Sequence, residues 1–167
     1  MADEAAPTEP QANGADTSPA IGLITQYVKD LSFENPNAPA VYQWQDQPEI
    51  SVQFNISSEQ PGDDVYEVAL KIEVSAKAAG GTAFAVDLVY GALFGMRNVP
   101  EDQVRPFLYS EAPRLVFPFA RRVLADAVRD GGFPPLLLDP IDFNGLYLQQ
   151  VQAQAAEQQD GTVVGNA

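Results

Sequence analysis

The chain has 167 residues, 46% of them hydrophobic and 19% charged, with a net charge of −14, and it contains neither histidine nor cysteine. That size and apolar content suit one globular domain with a core of its own. The missing residue types exclude disulfide frameworks, Ser–His–Asp and Cys–His catalysis and most zinc and iron sites, and the negative charge disfavours nucleic acid and anionic membranes.

Residues 1–20 are rich in Ala, Pro, Asp, Glu and Thr and lack apolar periodicity. They are expected to form a disordered acidic tail, and residues 157–167 a second one, leaving 21–156 as a single α+β domain. No basic stretch followed by an apolar core opens the sequence, so no signal peptide is expected. No run of about 18 apolar residues exists to insert in a membrane. With no cysteine, the expected location is the cytoplasm.

Four strands follow in the first half. Gly22–Glu34 is rich in Ile, Tyr, Val and Phe but irregular. Ile50, Val52, Phe54 and Ile56 alternate with Ser51, Gln53, Asn55 and Ser57. In Val65–Lys77 the even positions Tyr66, Val68, Leu70, Ile72, Val74 and Ala76 are apolar, and the odd ones include Glu67, Lys71, Glu73 and Lys77. Phe84, Val86, Leu88 and Tyr90 repeat the pattern, which puts one apolar face on each strand. The connectors Gln60-Pro61-Gly62-Asp63 and Ala79-Gly80-Gly81-Thr82 are too short for a crossover helix, so the last three strands form an antiparallel meander. Residues 35–48 carry several prolines and form a longer, extended connection.

Helices follow. Pro100-Glu101-Asp102 starts the first, and Pro106 and Pro113 are expected to break this region into a short helix and a longer one. The longer helix should run from about Pro113 to Arg129 and stop at Gly131-Gly132. A last helix has Asp142 as N-cap, with Ile141 and Leu146 placed for a hydrophobic staple and Phe143, Leu146, Tyr147 and Val151 at helical spacing. Strands followed by helices indicate a four-stranded antiparallel sheet covered by C-terminal helices.

Charge is unevenly divided. Between Ile21 and Val104 there are twelve acids against four bases, whereas Arg105–Ala156 is neutral. No glycine-rich phosphate loop occurs. The nearest paired carboxylates are Asp63-Asp64 and Asp139/Asp142, which suit a turn and a cap better than acid–base chemistry. No catalytic residue, metal or cofactor is expected, and the chain is not read as an enzyme.

Two surfaces remain. Asp30, Ser32 and Glu34 share one parity, with the two acids ~13 Å apart by strand rise, and Asp87 lies on the polar face of its strand. This is either a solvated face or a salt-sensitive docking surface for a basic partner. Ile50, Val52, Phe54, Phe84, Tyr147 and Val151 are core by default. Trp44 and Tyr42, however, sit in the Pro-rich connection, where large aromatics line edges and grooves suited to extended apolar segments.

Taken together, the segments resemble the SecB family of protein-export chaperones. The resemblance is carried by Tyr27-Val28-Lys29-Asp30-Leu31-Ser32-Phe33-Glu34-Asn35-Pro36-Asn37-Ala38-Pro39, by Asp64-Val65-Tyr66-Glu67-Val68 and Thr82-Ala83-Phe84, by Leu115-Val116-Phe117-Pro118-Phe119-Ala120-Arg121 and Gly132-Phe133-Pro134-Pro135-Leu136, and by Asp139-Pro140-Ile141-Asp142-Phe143. It spans roughly residues 21–151. It implies a homotetramer, a dimer of dimers, that holds newly made precursor proteins unfolded and delivers them to the SecA motor without using ATP. By the resemblance, Asp30, Glu34 and Asp87 would receive the basic, zinc-containing C-terminal segment of SecA. Ile50, Val52, Phe54, Phe84, Tyr147 and Val151, with Trp44, would line a client groove. One departure is visible: members of the family carry tryptophan directly before Gln-Pro-Glu, whereas here Asp46 occupies that place and Trp44 stands two positions earlier. Two other readings stay open, a SecB-like chaperone of a toxin–antitoxin pair and an acidic scaffold for one folded partner.

Overall fold

A computed structural model describes residues 16–160. Its strands are β1 (Ala20–Glu34), β2 (Glu49–Gly62), β3 (Val65–Ala78) and β4 (Gly81–Arg97), and they form one antiparallel sheet in the order β1-β4-β3-β2. The meander β2–β3–β4 follows from its two short turns. The pairing of β1 with the far side of β4 is what residues 35–48 make possible, because that connection must cross the end of the sheet to reach β2. It is held there by Asn37, whose Nδ2 donates to Thr82 O at 2.8 Å, and by a single 3-10 turn, Ala40–Gln43, that buries Val41.

The expected alternation decides the faces. Val68, Leu70, Ile72, Val74 and Ala76 of β3 and Phe84, Val86, Leu88 and Tyr90 of β4 are all buried on one face, here called inner. The pattern continues past the expected end of β4 through Ala92, Phe94 and Met96. Gly91 and Gly95 obscure that continuation in the sequence. At Gly91 a Cβ would lie 2.6 Å from the Tyr27 ring, so only glycine admits this close approach.

Two expectations need correction. Gln60-Pro61-Gly62 belongs to β2, and the turn is Asp63–Asp64, with Asp64 at φ 57°. Aspartate tolerates that left-handed conformation, and Pro61 lies on an edge strand at an irregular register, where its missing N–H is tolerated. Likewise, Pro106 and Pro113 do not separate two helices. Helix α1 (Glu101–Pro106) passes through a π-helical turn, Phe107–Glu111, directly into α2 (Ala112–Asp130), with Ala112 N–H bonded to Phe107 O. The wider turn sits just before Pro113, whose ring would clash with a carbonyl four residues back in a regular helix.

Helix α2 buries Ala112, Val116, Phe117, Ala120, Leu124 and Val128 at three- and four-residue spacing against β3 and β4. Each fully buried side chain of this kind contributes roughly 1.5–3 kcal/mol. The helix ends where Gly132 adopts φ 85° and Phe133 N–H returns to Val128 O at 3.3 Å. Asp142 caps α3 (Phe143–Asp160) through Oδ1, which accepts from Gly145 N–H at 3.0 Å. Ile141 packs against the core, but Leu146 stays half exposed. Helix α3 continues to Asp160, so residues 157–160, expected in the tail, are helical. The tail residues 1–15 and 161–167 lie outside the described part of the chain. Among the described residues, no helix is long and apolar enough to cross a membrane.

Candidate functional site

The helical layer does not cover the sheet evenly. Helix α2 packs mainly on β4 and β3 and also meets β1, whereas β2 meets the π-helical turn and touches α2 where the Phe54 ring lies edge-on to Phe117 at 6.4 Å. The apolar face of β2 is therefore left partly open: Ile50 is 43% and Phe54 36% exposed, although both point to the inner side. Neutral apolar side chains at an uncovered strand face are a surface for another apolar chain.

Two clefts lie along β2. One, of about 450 Å³, is bounded by Trp44 and Gln45–Pro48 of the connection, by Ile50, and by Phe133–Leu136 beyond α2; Val41, Ala83 and Phe84 complete its lining. Phe84 is only 3% exposed and makes the floor, stacked on Phe33 at 6.2 Å and meeting the tilted ring of Phe133 at 4.8 Å. The other, of about 420 Å³, lies between Phe54, Asn55 and Ile56 of β2, Tyr109, and Phe143, Leu146, Tyr147, Gln149 and Gln150 of α3. Val52 lies between Ile50 and Phe54 on β2 and packs against the core. Of the seven groove residues named from the sequence, Trp44, Ile50 and Phe84 line the first cleft, and Phe54 and Tyr147 the second. Val151 lies on an exposed part of α3 and lines neither. Phe133, Leu136 and Tyr109 were not singled out as site residues. For Phe133 and Leu136 the visible signal is the Gly132-Phe133-Pro134-Pro135-Leu136 run, an apolar, proline-fixed segment straight after a helix stop; Tyr109, in the π-helical turn, has none.

The position of Trp44 is fixed by a glycine. Its ring lies against Gly80 in the β3–β4 turn so closely that a Cβ there would fall 2.8 Å from the indole carbons. The wall behind it is tied to the end of α2 by Tyr42, whose hydroxyl donates to Gly131 O at 2.7 Å and accepts from Asn35 Nδ2 at 2.8 Å.

The outer face of the sheet is different in kind. The register sets Ser32 opposite Asp87, and Asp87 in turn opposite Glu73 of β3. Asp30 pairs with Val89, and Glu34 with Ala85, so Asp30, Ser32 and Glu34 share the face of Asp87. This alignment depends on a bulge between Val28 and Asp30: without the extra residue, Asp30 would pair with Leu88 and point inward. The bulged residue, Lys29, and Tyr27 both bond to Glu67, the ammonium at 2.5 Å. Lys29 and Tyr27 hold the Glu67 carboxyl below its usual range. Burial, then Glu67, pushes the Tyr27 phenol up to about 12. Glu73 and its neighbour Lys71, bonded at 3.0 Å, also belong to this face. The alternation of β3 places them there, but nothing in sequence spacing alone aligns them with Asp87. Among the described residues, no cluster of acidic side chains is arranged to hold a metal ion.

Comparison with known proteins agrees with this geometry. Residues 14–154 match the family model described as preprotein translocase subunit SecB. The protein-export protein SecB of Sphingopyxis alaskensis is 66% identical over 94% of this chain and 92% of its own. That of Zymomonas mobilis is 63% identical over 86% of this chain and 88% of its own. A SecB-like chaperone of Mycobacterium tuberculosis, solved in complex with an antitoxin peptide, shares the fold at a TM-score of 0.59, 13% identity, 72% coverage of this chain and 90% of that one. The chain belongs to the SecB family of protein-export chaperones.

Proposed function

We propose that this protein is a cytoplasmic holdase: it keeps newly made precursor proteins unfolded and delivers them to SecA. The observation that carries the reading is the partly uncovered apolar face of β2, flanked by two clefts that together suit an extended, unfolded segment rather than a compact ligand. Binding of this kind draws on apolar burial, which needs neither a nucleotide nor a catalytic group. The basic, zinc-containing C-terminal segment of SecA docks on the outer face at Asp30, Glu34 and Asp87, by charge rather than apolar contact. The zinc belongs to that partner.

Homotetramer assembly, a dimer of dimers, is supported by what remains uncovered elsewhere. β1 is a 15-residue edge strand carrying Ile21, Leu23, Ile24, Val28 and Leu31 half exposed, and α2 exposes Leu115 and Phe119. Long apolar edges of this kind call for a covering partner. The 66% identity to an export protein, against 13% to the antitoxin-bound chaperone, favours general export over a dedicated antitoxin client.

Calorimetric titration with a reduced, unfolded precursor and with its folded form tests the reading. Tight binding of the unfolded form alone is expected. Equal affinity for the folded form would refute a holdase.

A further inference from the structure

The outer face brings together acids that repel one another. Glu73 and Asp87 are direct cross-strand partners, so their Cβ atoms lie roughly 4.5–5.5 Å apart, and like charges so placed are destabilising. Lys71, two residues before Glu73 on the same face of β3, bonds to the Glu73 carboxylate at 3.0 Å. Its partner on β4 is Val89, which is also the partner of Asp30 on β1, so Lys71 stands in the cross-strand row of Asp30, next to the row of Glu73 and Asp87. The bond to Glu73, with attraction from Asp87 and Asp30, raises the Lys71 pKa. The ammonium therefore serves as a cation already present on the surface where a basic partner is to dock.

We propose that Lys71 is the internal counter-ion of the acidic face, which relieves the Glu73–Asp87 repulsion in the free protein and must be displaced by the incoming cations of a basic partner. This rests on the reading of that face as the SecA docking surface. It makes Lys71 a specificity-determining residue. A lone cation gains little by exchanging places with Lys71. A partner with several spaced cations satisfies Asp30, Glu34, Glu73 and Asp87 together and gains more. Glu73 thereby joins the docking surface.

Removing the competitor has opposite effects on folding and on docking, which a merely structural residue would not produce. In Lys71→Met the thermal midpoint falls slightly, because the acids lose their counter-ion. The zinc-loaded C-terminal peptide of SecA should bind roughly three- to ten-fold more tightly at about 20 mM ionic strength, and this gain should vanish near 0.5 M salt. Arg97→Met makes the same change in net charge ten residues from Asp87 along β4, ~34 Å away, and should alter affinity less than about two-fold at 0.1 M salt, where that distance exceeds the screening length. Asp87→Asn separates this inference from the reading beneath it. If Asp87→Asn weakens the peptide and Lys71→Met does not tighten it, the counter-ion role is wrong and the docking surface stands. If neither substitution changes affinity, the docking surface is misplaced and the inference falls with it.

Discussion

Strand β3 serves two surfaces of opposite character, and the comparison between them shows how the proposed function divides one small domain between two unlike partners. Its even residues, Val68 to Ala76, build the core on which β2 and α2 rest, while its odd residues Lys71 and Glu73 face outward among the acids of β1 and β4. On the proposed reading, the inner side binds by removing apolar area from water, an interaction that salt leaves intact. The outer side, on the same reading, binds by charge, which fades beyond about 10 Å at 0.1 M salt. Because the two sides are separated by the thickness of a sheet, the proposal predicts that a client in the groove leaves the docking face free.

The comparison breaks most completely where both sides share a support. Leu70→Ala removes a fully buried side chain at the centre of β3. It should cost about 2–5 kcal/mol, read as a lower urea midpoint, and weaken both binding activities together. A more selective break is Gly80→Ala. The added methyl meets the Trp44 ring at 2.8 Å, so the indole must leave its seat at a cost of about 1–3 kcal/mol. Trp44 is the only tryptophan, so the shift is read directly as a change in fluorescence, with weaker client binding and unchanged affinity for the basic peptide. Phe54→Ala should weaken clients by roughly five- to twenty-fold at every salt concentration, consistent with loss of about 1–2 kcal/mol of apolar contact at a half-exposed site.

The smallest expected effect concerns the Tyr27–Glu67–Lys29 cluster beside the β1 bulge. Folding raises the Tyr27 phenol from 10.0 to about 12, so its contribution to stability is intact below pH 10 and disappears as pH rises through 12. Folding lowers the Glu67 carboxyl below its ordinary value of 4.5, so that contribution is present above pH 4.5 and disappears as pH falls through the lowered value. Tyr27→Phe should flatten the alkaline limb of a denaturation midpoint measured against pH. An unaltered limb would show that the phenol does not couple to folding.

Much of this arrangement was legible in the sequence, where the code is periodic. The alternation of β3 and β4 identifies the inner face residue by residue, and Asp142 is recognisable as a helix cap from its place alone. The groove was less legible, because exposure of Ile50 and Phe54 depends on where α2 lies, and α2 lies mainly over β4 and β3 and reaches β2 only at the edge of Phe54. Val151 illustrates the limit: helical spacing groups it with Phe143 and Tyr147, but it is 41% exposed and lines neither cleft. The π-helical turn before Pro113 was also hidden, since proline marks a broken hydrogen bond but not how the chain accommodates it. The outer face depends on the bulge at Lys29, a one-residue irregularity that only strand pairing reveals.

Titrating the protein with an unfolded precursor and with the zinc-loaded SecA peptide, singly and together, at low and high salt, tests the separation of the two faces most directly. Precursor affinity should change little with salt, peptide affinity should fall steeply, and each ligand should bind with the other already in place. Mutually exclusive binding, or the same salt dependence for both ligands, would contradict the account.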